Sequence, residues 1–121
     1  MRLTLLSPPF AICRLPPGAA IPSWPAGPFV SISRSADELS IVCSEASVPD
    51  GVQSESGWRC LKVEGPIPFE TIGVAAPITK ALADARISVF FVSTYDTDYV
   101  LVRAESLDAA VAALKAAAFA F

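Results

Sequence analysis

Apolar, β-branched runs on either side of a polar, doubly acidic turn set the pattern of the second half of this chain. Residues 87–92 (Ile-Ser-Val-Phe-Phe-Val) lead into Ser93-Thr94-Tyr95-Asp96-Thr97-Asp98, and Tyr99-Val100-Leu101-Val102 follows. The pattern predicts a hairpin with strands near 87–92 and 99–102. Sixty residues earlier a weaker echo runs through Phe29 to Ser33, Ser35 to Glu38 and Leu39 to Glu45. In that register Ser33 falls on Ser93, Glu38 on Asp98, Val42 on Val102 and Glu45 on Glu105. The chain therefore reads as one small unit written twice.

Around each hairpin the spacing of apolar residues predicts the remaining elements. Residues 3–6 and 10–15 read as short strands on either side of Pro8-Pro9, and 39–43 as the return strand of the first hairpin. Pro22 and Pro25 leave room for a single helical turn within 19–27. Residues 44–57 read as a polar connector and 58–63 as a strand. A helix is expected over 71–85, where Ile72, Ala76, Ile78 or Thr79, Leu82 and Ala83 recur at helical spacing. Ser106 is placed as the cap of a last helix whose core stripe is Leu107, Val111, Leu114 and Ala118. Phe119 to Phe121 form either a short edge strand or a tucked end. Strand, helix, strand, strand, helix with a possible final strand is a split β-α-β order with helices on one face of the sheet. The expected fold class is thus α+β, with a first unit and linker over 1–57 and a second unit over 58–121.

At 121 residues the chain suits one body with two half-size units, not two enzyme-sized domains. Hydrophobic residues make up 53% and the mean hydropathy is +0.52, a surplus that points to a homodimer. Nine basic and twelve acidic residues give a net charge of −3 without a basic cluster, which speaks against nucleic acid and anionic membranes as partners. Prolines and charges interrupt each apolar stretch before the roughly 18 residues that a membrane helix needs. With no secretion signal in the first residues, the expected location is the cytoplasm. Cys13, Cys43 and Cys60 sit singly in apolar runs and read as reduced core residues. Histidine is absent, which removes Ser-His-Asp and Cys-His catalysis and His-containing zinc sites.

Val63-Glu64-Gly65-Pro66, Phe69 with Gly73-Val74-Ala75-Ala76-Pro77, and the 93–99 turn resemble the small bacterial proteins made of two tandem ACT-like domains, a family related to the CASTOR arginine sensors of animals. Glu38-Leu39-Ser40-Ile41-Val42 extends the resemblance into the first half. It implies a ferredoxin-like regulatory fold, without catalysis, that binds an amino acid or similar metabolite at an interface between ACT units. By the same resemblance the ligand-binding residues are Gly73, Val74, Thr94, Tyr95 and Asp98, with no cofactor; a metal at Asp96 and Asp98 is not expected, since hard cations take about six oxygen ligands and no EF-type loop with its terminal glutamate is present. The degraded first helix departs from the family pattern.

The residues suggest chemistry of their own at that place. A helix start offers amides to a carboxylate, Pro77 withholds a donor from the Gly73 carbonyl, and Asp98 at the end of a packed strand face wants a cation. A zwitterion with a basic side chain satisfies all three. Each residue also has a plainer reading: Gly73 as a close-packing position, Thr94 and Asp96 as turn closers, Tyr95 as a dimer contact. Asp98 could equally pair with Arg34, Arg86 or Arg103. A structural or protein-interaction module without ligand is the alternative function.

Overall fold

The computed structural model describes residues 1–121. Its strands are β1 (Leu3–Leu5), β2 (Phe10–Leu15), β3 (Ser31–Arg34), β4 (Leu39–Ser44), β5 (Gln53–Val63), β6 (Val89–Ser93) and β7 (Asp98–Arg103). Two helices, α1 (Ala75–Asp84) and α2 (Leu107–Ala116), complete an α+β fold whose strand pairs are antiparallel. The chain divides into two compact units, Ser7–Trp58 and Arg59–Phe121 together with Met1–Leu6, with the division falling inside β5.

In the Ser7–Trp58 unit the order is β3-β4-β2-β5. Ala11, Cys13, Leu39, Ile41 and Cys43 make its buried face. No helix forms over 19–27, because Pro22 and Pro25 prevent even the single turn expected there. The segment instead lays Ala19 and Trp24 on that face. It is stitched down where the Ser44 N–H donates to the Ala26 carbonyl at 2.9 Å. Gly27 is required at that crossing: its φ is +120° and a Cβ would lie 2.1 Å from the Ser44 hydroxyl oxygen. Residues 53–57, expected as connector, are the first part of β5. Gln53 to Ser56 are exposed on both faces, so no apolar alternation marks them, and the ladder to β2 is what makes them a strand.

In the second unit β5 is bordered by β1 and by β7, and β6 lies outside β7. Ile78 and Leu82 of α1 and Ala110 and Leu114 of α2 are fully buried against Leu61, Val63, Val100 and Val102. Each large aliphatic side chain so buried contributes about 1.5–3 kcal/mol. The α2 stripe differs from expectation: Ala110 replaces Val111 as the buried residue, and Ser106 takes the cap position without a side-chain bond because a 3-10 turn, Ala104–Ser106, leads into the helix. β1 occupies the edge that the last strand of a split β-α-β unit would take, pairing Leu3 with Val63 and Leu5 with Leu61. Phe119 to Phe121 add one parallel bridge, Ala120 to Arg2, beside β1.

The two hairpins correspond at an offset of 59 residues, not 60. Leu39–Ser44 maps onto Asp98–Arg103, and the 3-10 turn Glu45–Ser47 onto Ala104–Ser106. Turn chemistry fixes this register: the Ser35 N–H donates to the Glu38 carbonyl at 2.9 Å as the Thr94 N–H does to the Thr97 carbonyl at 2.8 Å. Leu39, fully buried, is then the counterpart of Asp98.

All three cysteines are free and buried, as expected of core residues. Burial pushes the Cys60 thiol up to about 12, and burial next to Cys43 pushes Cys13 up to about 11. Both therefore stay protonated and unreactive near neutral pH.

Ala118 follows α2 with φ +73°, the left-handed conformation that turns the chain back toward Met1. For an L-residue this costs about 1–2 kcal/mol, part of which glycine's freedom in the unfolded chain would offset. Ala118→Gly is expected to stabilise by about 0.5–1 kcal/mol, raising the thermal midpoint by roughly 2–5 °C in a calorimetric scan. An unchanged or lower midpoint contradicts the strained turn.

Candidate functional site

The 94–97 turn is built before it can bind anything. The Thr94 hydroxyl donates to the Thr97 carbonyl at 3.1 Å and accepts the Thr97 N–H at 3.4 Å, so Thr94 does close the turn. Thr97 is buried, and its hydroxyl donates to the carbonyl of Val63 at the end of β5. From the other side the Ile67 N–H donates to the Asp96 carbonyl at 2.6 Å. Gly65 permits this approach, since a Cβ there would sit 3.0 Å from the Ile67 nitrogen and 3.1 Å from the Asp96 carbonyl oxygen. The β5–α1 loop and the β6–β7 turn are thereby tied into one rim.

Between them opens a cleft of about 240 Å³. Ile67, Pro68, Phe69 and Thr71 form one wall, Ser93 to Asp98 the other, and Val74 lies at the entrance to α1. Val74, Thr94, Tyr95 and Asp98 are thus brought together. Gly73 lines a different hollow of about 210 Å³, with Met1, Pro77 and Phe119, and only Val74 is common to both. Nor is Gly73 a close-packing position: a Cβ would meet nothing within 4 Å, and its φ of +80° is the reason for glycine.

That bend also explains the late start of α1, at Ala75 and not at 71. A helix begun at 71 would carry Pro77 in its interior, against the Gly73 carbonyl; begun at Ala75, Pro77 falls in the first turn, where no intrahelical donor is needed. No side chain caps this end and no acidic residue stands in its first turn, so its positive pole is uncompensated.

Asp98 stands on the face of Val100 and Val102 at the rim of the core, half-buried. None of the expected arginines pairs with its carboxylate, and the Lys80–Asp84 ion pair, at 2.6 Å, lies on the exposed side of α1. The fold does not ask for an acid here, because the first hairpin fills the equivalent position with Leu39. Phe69 and Tyr95, 70% and 78% exposed, meet edge to face across the mouth with ring centroids 4.6 Å apart. Phe69, which carries part of the resemblance, and Pro68 were not among the residues expected to bind, although the Gly65-Pro66-Ile67-Pro68 run marks a stiff loop that could have signalled this wall.

Residues 53–116 match the family model of the ACT domain, and residues 9–51 match a model of an N-terminal domain. The chain belongs to the ACT-domain family. The human cytosolic arginine sensor for mTORC1 subunit 1 is 34% identical over 65 residues, which are 51% of this chain and 20% of the sensor. The chain thus spans about a fifth of the length of the curated relatives it matches. A crystal structure of an Agrobacterium tumefaciens protein is similar along nearly the whole length, with 38% identity, a TM-score of 0.92 and coverage of 98% of this chain and 90% of that one. The ligand-free regulatory subunit of aspartate kinase from Thermus thermophilus gives a TM-score of 0.63 at 14% identity, covering 95% and 96%, a likeness of fold. The ACT match takes in all the residues of the cleft.

The buried Thr97 hydroxyl is the anchor of this ACT rim. Thr97→Val, which leaves the Val63 carbonyl without its donor, is expected to cost about 1–3 kcal/mol in urea unfolding, while Thr97→Ser retains most of the stability. Equal stability of Thr97→Val and the unaltered protein contradicts that role.

Proposed function

We propose that this ACT-family protein is a regulatory module that binds a free amino acid with a basic side chain in the cleft between α1 and the 94–97 turn. The observation that carries the reading is Asp98: a half-buried carboxylate without a cationic partner, at a position that the other hairpin fills with leucine. An acid so placed favours an incoming cation. The uncapped start of α1 offers the Ala75 and Ala76 amides to a carboxylate. Val74 and the Phe69–Tyr95 pair supply apolar cover for the aliphatic stem.

In this proposal Val74, Thr94, Tyr95 and Asp98 are the ligand-binding residues, and Gly73 acts through its bend, by aiming α1. Thr94 acts through the turn it closes. The relation to a named arginine sensor and the ACT match support regulation by a small molecule over catalysis, and a cytoplasmic setting. The shared strand orders and the 59-residue offset support a tandem of two ACT-like units, divided near residue 58. Leu39 in place of an acid leaves the first unit without an equivalent cation site. A ligand enclosed at an interface with a further ACT unit fits the exposed aromatic mouth.

Thermal unfolding with a panel of L-amino acids tests the reading. A basic amino acid at a hundred times its dissociation constant is expected to stabilise by about 2.7 kcal/mol. Asp98→Leu is expected to fold as well as the unaltered protein and to lose that shift. No response to any amino acid at millimolar concentration, or an undiminished response in Asp98→Leu, contradicts the proposal.

A further inference from the structure

A second polar hollow, of about 250 Å³, adjoins the 94–97 turn. Lys62, Gly65, Pro66, Asp96 and Thr97 line it, so it shares Asp96 and Thr97 with the cleft and takes nothing from α1. Side chains alternate along β5: Leu61 and Val63 are buried against the helices, and Lys62 between them belongs to the opposite face of the sheet. The hollow thus lies on the face away from α1 and α2.

Its two charges are held in place but not joined. Lys62 is half-buried, and its backbone is fixed opposite Thr4 in the ladder to β1. Asp96 has its carbonyl tied to the Ile67 N–H at 2.6 Å, and the closing of the turn, the plain task for its side chain, is done by Thr94 instead. No ion pair joins the Lys62 ammonium to the Asp96 carboxylate, although both line one hollow. The neighbouring acid Glu64 accepts from the Thr4 hydroxyl at 2.6 Å, and the Thr97 hydroxyl is engaged by the Val63 carbonyl. One cation and one anion therefore face a common space from two segments whose backbones set their separation.

A small zwitterion fits such a pair. Its carboxylate meets Lys62 while its ammonium meets Asp96, two charge-assisted contacts made by one molecule. The volume falls below the roughly 300–1,000 Å³ of sites for drug-sized ligands. Apart from the Pro66 ring the lining has no apolar side chain to cover a long aliphatic stem, and a basic side chain would bring a further positive charge beside Lys62.

We propose that this hollow is a second binding site, for a small zwitterionic amino acid of the size of glycine or alanine, with Lys62 holding the carboxylate and Asp96 the ammonium. The site needs nothing from the reading of the cleft, and it takes a ligand that Asp98 does not select.

Amide chemical shifts of the full chain, titrated with glycine, test the site. Saturable shifts at millimolar glycine are expected, largest at Lys62, Gly65 and Asp96. Acetate and methylammonium, which carry one charge each, are expected to bind at least roughly tenfold more weakly, as the loss of one charge-assisted contact requires. Lys62→Met and Asp96→Asn are each expected to fold and to weaken glycine by the same factor. Absence of a saturable shift at those three amides, acetate as tight as glycine, or an undiminished response in either variant overturns the proposal. If one variant does not fold, the other decides, together with the acetate comparison on the unaltered protein. The response of Val74 to Ala76 to basic amino acids is a separate readout, so either site can fail alone.

Discussion

The tie between the β6–β7 turn and the end of β5 is the constraint on which the site rests. The Thr97 hydroxyl reaches the Val63 carbonyl, the Ile67 N–H reaches the Asp96 carbonyl, and Gly65 lets the two segments meet. The first of these bonds is buried, where a polar group left unpaired costs more than its bond contributes in water. Two loops that could otherwise move apart are thereby held as the opposite walls of one cleft. Asp98, the next residue after Thr97, has its backbone placed by the same anchor.

The core supports this arrangement from below. Val100 and Val102 continue the strand face that Asp98 begins, and Ile78 and Leu82 of α1 pack on them, so the direction of α1 is fixed against the strand that carries the carboxylate. The Gly73 bend and Pro77 then settle where the helix starts. Its open first turn and the Asp98 rim are set by packing and backbone geometry, and neither depends on a flexible polar network. A cleft of that kind is formed in the ligand-free chain, and for the proposed role it lowers the ordering cost of binding.

Much of this was legible in the sequence, for reasons that can be named. The hairpin at 93–99 shows because β-branched runs flank a turn of short polar side chains, and α1 shows because Ile78 and Leu82 lie one turn apart on its inner side. Four of the five residues singled out for binding line one cleft. The beginning of β5 stayed hidden because Gln53 to Ser56 are wet on both faces, so that only their ladder to β2 identifies them. The 60-residue register was misleading for a related reason: it aligns side-chain types, whereas the hydrogen bonds of the two turns repeat at 59. Only in the second register does Leu39 stand against Asp98, and that pairing separates an acid the fold needs from one it merely tolerates.

Amide chemical shifts in a titration with basic L-amino acids test the central claim most directly. The account predicts saturable shifts concentrated at Val74, Ala75 and Ala76 and along Ser93 to Asp98, with the first hairpin, around Leu39, unmoved. Saturable shifts centred on any other part of the chain, or none up to millimolar ligand, would contradict it.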